Sequence, residues 1–393
     1  MGKDQYDIII AGGGVMGCAI ATYLLQADCQ LDLLLIERDL TYENSSTVLS
    51  EGNTRIQFNL PANIAMSQYG LEILENFSKR MAIDTHVPAI DFRQQGNLYL
   101  VDKAADADAR IGYETQRRLG CDIEWLTAVQ AKEKFPPLDS THIIAATFGA
   151  QDGTMSPLAV LDAYRHKAVA LGATLFEANI NALLKEADQI CGVQLSTGER
   201  YEAPIVINAA GAWAAKLAQT VNVELPIEPI KRQVYSIKTD LHFDHILPLL
   251  LLPNGQYVIH EGGGHFVVGG TRADDPITED DFSWSKSRFE AYLWEGLVAY
   301  LPTFDRLKLV GGWAGLYAVN RLDGNAILGQ WPTVRGLYLA NGFSGHGFQQ
   351  CHAVGRYIAE LILGQTPTLD LSLFSPQRIL ENDPIYENPS RLI

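Results

Sequence analysis

An apolar strand that runs straight into Gly12-Gly13-Gly14-Val15-Met16-Gly17 leaves few architectures open to this chain. Tyr6-Asp7-Ile8-Ile9-Ile10-Ala11 is the unbroken apolar kind of strand that a parallel sheet buries on both faces. A helix is expected from about Val15 to Ala27, and Leu31-Asp32-Leu33-Leu34-Leu35-Ile36 reads as the second strand of a βαβ unit. In that setting Gly12 permits the tight turn, Gly14 lets a pyrophosphate approach the backbone, and Gly17 lets helix and strand pack closely. The helix start around Val15 and Met16 supplies free N–H groups and partial positive charge for phosphates. Glu37 ends the second strand twenty residues after Gly17, where an acid accepts hydrogen bonds from an adenosine ribose. A glycine turn needed only for packing leaves Glu37 unexplained, so the unit reads as a dinucleotide site.

At 393 residues the chain is too long for one core and implies two or three domains. With 47% hydrophobic and 19% charged residues its mix is that of a globular protein rather than a disordered one. A net charge of −16, with no run of Lys and Arg longer than two, argues against nucleic acid or an anionic membrane as main partner. Cys18, Cys29, Cys121, Cys191 and Cys351 form no CxxC pair and have no zinc-ligand spacing, so they read as reduced thiols and no metal is expected. The apolar run Ile8–Leu25 is preceded by Asp4 and Asp7 and interrupted by four glycines, Thr22 and Tyr23, which disfavours a membrane span. The expectation is a cytoplasmic protein.

Further along, Leu71, Leu74, Phe77 and Met81 suggest one amphipathic helix within Pro61–Met81. A strand–helix stretch without the parallel-sheet pattern begins at Gly96–Val101 and ends near Pro136-Pro137. Helix-like Leu158–Leu171, strand-like Thr174–Ile180 and Ile205–Asn208 resume an α/β rhythm. From Leu225 to about Leu309 short alternating strands such as Gln256–His260 and His265–Gly269 take over, with one helix carrying Phe289, Leu293 and Leu297. Strand Gly336–Ala340 and a helix from about Phe348 to Leu363, capped by Gly364, close the pattern. The fold class expected is α/β: a discontinuous Rossmann-like domain (1–90, 140–224 and 325–393) and a second, mainly antiparallel-sheet domain (91–139 and 225–324).

Four further segments carry a resemblance. They are Gly52-Asn53-Thr54-Arg55-Ile56, Asn208-Ala209-Ala210-Gly211-Ala212-Trp213, Asp323-Gly324-Asn325-Ala326-Ile327-Leu328-Gly329 and Asn341-Gly342-Phe343-Ser344-Gly345-His346-Gly347-Phe348. With the glycine fingerprint they resemble the FAD-dependent amine and amino-acid oxidoreductases typified by sarcosine, glycine and D-amino-acid oxidases. The resemblance spans nearly the whole chain and favours FAD over NAD. It implies that Gly12, Gly14 and Gly17 hold the pyrophosphate and Glu37 the ribose, with Arg38, Ser45 and Ser46 along the cofactor. Ile180 falls where an adenine-side residue is expected. Ala209, Gly211 and Trp213 match a second nucleotide-side turn, Trp213 reading also as simple core packing. Gly345, His346, Gly347 and Phe348 match the isoalloxazine turn, His346 mainly through its backbone. Some members attach flavin through a Cys just before the segment matching Leu316-Tyr317, or through a His shortly after the Glu37 region. Here Gly315 holds the first position and no His lies between Arg38 and Ile64, so non-covalent FAD is expected.

In this family the substrate carbon delivers hydride to flavin N5, and an Arg after a Gly-Leu pair often anchors the substrate carboxylate. Here Tyr317 follows Gly315-Leu316 in that place. Arg55 is the leading cationic candidate instead, its other reading being an ion-paired surface Arg. His260 can face the flavin from the antiparallel sheet or be a satisfied structural His, and Tyr317 can donate to substrate or simply pack. The resemblance implies oxidation of a C–N bond in a small, secondary or substituted amine or amino acid, with oxygen, a quinone or a carrier protein as electron acceptor. Oxidation of a 2-hydroxy acid is the alternative reaction. Trp313–Tyr317 and the C-terminal region also resemble a mitochondrial FAD-dependent protein linked to respiratory complex I assembly, which implies an assembly or interaction role with little turnover.

Overall fold

The computed structural model describes residues 4–387. Its first sheet runs in the order 327–330, 337–341, 205–208, 8–11, 33–37 and 174–177. All neighbours are parallel except Ile327–Gln330, which joins the edge antiparallel. The apolar runs are continuous because both faces are covered. Ile8, Ile10, Leu33 and Leu35 pack under helices Val15–Ala27, Pro157–Ala170 and Gly347–Ile362. Ile9, Ala11, Leu34 and Ile36 point the other way, against a three-stranded sheet (180–186, 189–195, 200–202) and the short helix Ala214–Gln219.

The second sheet has eight strands in the order 308–320, 227–238, 265–270, 256–262, 249–251, 97–101, 145–149 and 123–127. Every pairing is antiparallel except that of Leu249–Leu251 with Asn97–Val101. Its long members, Ile227–Lys238 and Lys308–Asn320, are zipped together over their full length, with Ile230 opposite Tyr317 and Arg232 opposite Gly315. The other end of this sheet packs on the helical segment 286–300, which passes through a π turn at Phe289–Leu293. The α/β class with a Rossmann-like parallel sheet and a second sheet domain is therefore present.

Three local differences from the sequence reading have simple causes. Ala145–Gly149 lies in the large sheet, between 97–101 and 123–127, because the Pro136-Pro137 break ends only the preceding helix and not the sheet. The segment Pro61–Met81 splits at Asn76 into two helices. Strand 174–177 stops early, and Ile180 begins the next strand in the three-stranded sheet, Ala178 N–H having bonded Glu37 carbonyl at 2.8 Å. All five cysteines are free. Among the described residues no helix is long and apolar enough to cross a membrane.

Helix Gly347–Ile362 carries a buried His352 whose Nδ1 lies 2.7 Å from the Tyr164 hydroxyl, with its ring edge-on to Phe77. Burial pushes this imidazole down to about 4. The unfolded chain therefore takes up the proton first as pH falls, and stability rises with pH between about 4 and 6.5. His352→Gln should remove roughly 1.5–2 kcal/mol from the stability difference between about pH 5 and pH 6.5, read from urea midpoints at the two values.

Candidate functional site

Gly12 leaves the first strand at φ +107°, and a Cβ there would stand 2.5 Å from the Ala209 carbonyl oxygen. Gly17 is tighter still, since its Cβ would lie 1.9 Å from the Gly12 carbonyl oxygen. These two glycines are demanded by backbone packing. Gly14 is different: a Cβ there would meet only Thr47 Oγ1, at 3.3 Å. Its bareness opens the helix start toward a cavity, and as N-cap it offers no side chain to the first-turn N–H groups. Thr47 Oγ1 accepts from Val15 N–H at 3.2 Å. Glu37 accepts from Gly13 N–H at 2.7 Å and from Asp39 N–H at 3.2 Å. Burial raises its carboxyl pKa, and those two bonds oppose the rise.

A second turn follows strand 205–208. The Asn208 amide accepts from Ala210 N–H at 3.1 Å and donates to the Ala214 carbonyl at 2.9 Å, so the side chain shapes Ala209–Trp213 from beneath. Trp213 is a wall residue rather than core. The Arg38 guanidinium lies 3.4 Å above its ring centre, and its indole N–H donates to the Glu279 carbonyl at 3.1 Å. Lys216 pairs with the Glu279 carboxylate.

The third turn, Phe343–Phe348, is stapled to strand 308–320. Ser344 N–H donates to the Ala318 carbonyl at 3.0 Å, and Asn320 N–H donates to Ser344 Oγ at 3.0 Å. Gly345 sits at φ +99°, with the Tyr317 ring 2.4 Å from where its Cβ would be, so only glycine lets the ring lie there. His346 turns back into the protein. Burial, reinforced by Arg55, pushes its imidazole down to about 3, and its neutral Nε2 lies 3.0 Å from Arg55 Nη2, which donates.

These three turns line one cavity of about 870 Å³, a volume usual for cofactor sites. Of the residues assigned to the cofactor, Gly17 and His346 do not line it, while Gly12, Gly14, Val15, Met16, Glu37, Arg38, Ser45, Ser46, Ile180, Ala209, Gly211, Trp213, Gly345, Gly347 and Phe348 do. The chemistry fits a dinucleotide: bare backbone at Gly14, an uncapped helix start and an acid twenty-odd residues on. Of the three side chains proposed for substrate, only Tyr317 lines the cavity. Arg55 braces the third turn from behind, its N–H donating to Gln349 Oε1 at 2.8 Å and its guanidinium 4.7 Å from the Phe58 ring centre. His260 is fully buried: Nδ1 accepts from Leu247 N–H, Nε2 donates to the Gly263 carbonyl, both at 3.0 Å, and the ring stacks on Phe266. With both nitrogens held by backbone it is a structural histidine of the second sheet, and its alternating strand position gave no hint of the aromatic cluster.

Thr47, Glu51 and Arg232 were not singled out from the sequence, yet all three line the cavity. Glu51 stands directly before the Gly52–Ile56 motif and accepts a hydrogen bond from the Tyr257 hydroxyl. Burial raises its carboxyl pKa, against the effect of that bond. Burial also pushes the Tyr317 phenol up. Arg55→Ala should cost roughly 1.5–3 kcal/mol in urea unfolding, because it deletes the hydrogen bond from a charged donor to His346 and the contact with Phe58. An anchoring role would instead leave stability intact and raise KM.

Residues 7–361 match the family model DAO, FAD dependent oxidoreductase. A Xenopus laevis protein, FAD-dependent oxidoreductase domain-containing protein 1, is 33% identical across 98% of this chain and 84% of its own length. Glycine oxidase of Geobacillus kaustophilus is 25% identical over 95% of this chain and 97% of its own length. The crystal structure of L-proline dehydrogenase from P. horikoshii superposes with a TM-score of 0.86 at 27% identity, covering 98% of this chain and all of that one. With its fingerprint, its three converging turns and a match over most of its length, this chain belongs to the DAO family of FAD-dependent oxidoreductases.

Proposed function

We propose that this protein oxidises the C–N bond of a small secondary or substituted amine or amino acid, using FAD held without a covalent link. The observation that carries the reading is one cavity lined by Gly12, Gly14, Met16 and Glu37, by the Phe343–Phe348 turn, by Glu51, and by Tyr317 and Arg232 of the large sheet. The named relatives point the same way, since one acts on glycine and one on L-proline, a secondary amine.

When bound, FAD supplies the acceptor for the electron pair leaving the substrate C–H bond. The chain's part is to bind, orient and exclude water. Gly14 and the N–H groups of the first helix turn receive the pyrophosphate, and Glu37 receives the ribose. The start of helix Gly347–Ile362 lines the cavity and would offer positive backbone potential to a flavin ring held there. Tyr317, packed against Gly345, lines the cavity next to that turn. Non-covalent attachment is supported by Gly315, which offers no thiol at the position where some relatives carry the attaching Cys.

Two experiments test the reading. Under anaerobic conditions a secondary amino acid such as N-methylglycine or L-proline should bleach the visible flavin band at a saturable rate. A flavin that dithionite reduces but no small amine, amino acid or 2-hydroxy acid touches would favour the assembly role, and bleaching by 2-hydroxy acids alone would favour C–O oxidation. Acid precipitation should leave a colourless pellet and a yellow supernatant. Separately, Gly14→Ala should cost the apoprotein no more than about 1 kcal/mol yet weaken FAD binding more than tenfold in fluorescence titrations. Gly17→Ala should fail to fold, given the backbone contact its methyl would force.

A further inference from the structure

The residue that stands where the family's carboxylate anchor is expected, Tyr317, cannot hold a carboxylate as a cation would. A cation nevertheless reaches the same place from the neighbouring strand. Arg232 is opposite Gly315 in the ladder, lines the cavity, and holds its guanidinium carbon 5.5 Å from the centre of the Tyr317 ring. The other cations lining the cavity are engaged: Arg38 stacks on Trp213 and Lys216 pairs with Glu279. Lys231, next in sequence, alternates away and pairs with Asp281.

Arg232 is held but not used up. Its Nη1 makes both protein hydrogen bonds recorded for the guanidinium, to Asp275 and to the Arg272 carbonyl at 3.3 Å. Among the described residues its Nε meets no acceptor, but it is buried and closed to a ligand; Nη2 makes no hydrogen bond to them either and is the donor left for the cavity. Asp275, whose side chain is 1% exposed, is shared between Arg232 and Arg288, so two guanidinium groups face one carboxylate and a positive charge is left over. A guanidinium at the cavity wall, its side chain 18% exposed and its Nη2 uncommitted, can give a carboxylate a charge-assisted hydrogen bond. Glu51, hydrogen-bonded by Tyr257, lines the same cavity and offers a carboxyl oxygen that can accept from an amine.

We propose that Arg232 anchors the substrate carboxylate in place of the missing arginine at position 317, so that the substrate is an amino acid bound as a dipole, its carboxylate on Arg232 and its amine toward Glu51. This rests on the functional reading above and narrows it: amines without a carboxylate are poor substrates. Asp275 and Arg288 act as positioning residues that hold the Arg232 guanidinium at the cavity wall. Tyr317 then serves as the apolar shelf that keeps the guanidinium out of water rather than as a ligand itself.

The test uses the FAD-loaded protein and two probes of the same shape, furan-2-carboxylate and furan-2-carboxamide, with binding read from the change in the flavin spectrum. The unaltered protein should bind the carboxylate at least tenfold more tightly than the carboxamide. Arg232→Gln should abolish that preference while leaving carboxamide affinity and FAD content unchanged. Arg232→Lys, which keeps the charge and loses the guanidinium Nη2 donor, should retain a reduced preference, and it carries the test if the glutamine variant does not fold. No preference in the unaltered protein, or an undiminished one in Arg232→Gln or Arg232→Lys, overturns the proposal. Because the readout is binding, these outcomes are independent of flavin bleaching: a protein that bleaches with amines yet ignores the carboxylate refutes the anchor and leaves the C–N chemistry standing.

Discussion

Everything in the nucleotide half depends on how closely the first helix approaches the first strand. The contact is backbone on backbone, between the Gly17 Cα and the Gly12 carbonyl, and any side chain at either position collides with main chain. That approach sets the direction of helix Val15–Ala27, and with it the seat of helix Gly347–Ile362, where Gly355 lies within 3.0 Å (measured from its would-be Cβ) of Ala19. Two glycines at opposite ends of the sequence thus let two helix starts converge on one cavity. The helix dipoles are brought in by packing, not by any charged side chain.

The second sheet solves a different problem. A long antiparallel pair, 227–238 with 308–320, carries side chains across the mouth of the nucleotide half. Full-length pairing makes their register hard to slip, since a one-residue shift would exchange Arg232 and Tyr317 with residues pointing to the other face. The polar groups at this end are hydrogen-bonded or ion-paired: Glu51 with Tyr257, Arg232 and Arg288 with Asp275. Such sets permit charges to be buried at a cavity wall, where a lone ion would be unstable.

What was legible in the sequence follows the range of the forces involved. The βαβ unit, Glu37 and the turn at Gly345–Phe348 are local patterns, with strand, glycine and helix start written consecutively. Arg55 and His260 looked like site residues because each sits in or beside a motif or strand that faces the right region. Their actual partners, His346 for Arg55 and Phe266 with two backbone groups for His260, belong to packing that no spacing reveals. Arg232 shows the converse. Eighty-five residues separate it from Tyr317, and only the strand ladder makes them neighbours. The strand at 145–149 was misassigned for the same reason, because sheet membership is a non-local property.

The cavity's walls come from residues near 11, 37, 180, 210, 232, 280, 317 and 345, so almost the full length of the polypeptide must be in place before the pocket exists. During synthesis the first fingerprint emerges early but has nothing to close over it until the turn before helix Gly347–Ile362 leaves the ribosome. Cofactor capture is then a late event, and it links distant segments by mass action. A ligand present at a hundred times its dissociation constant adds about 2.7 kcal/mol to the folded state, and here that increment is distributed over both sheets at once. A cofactor bound there would therefore stabilise the folded chain as a whole and not one sheet alone.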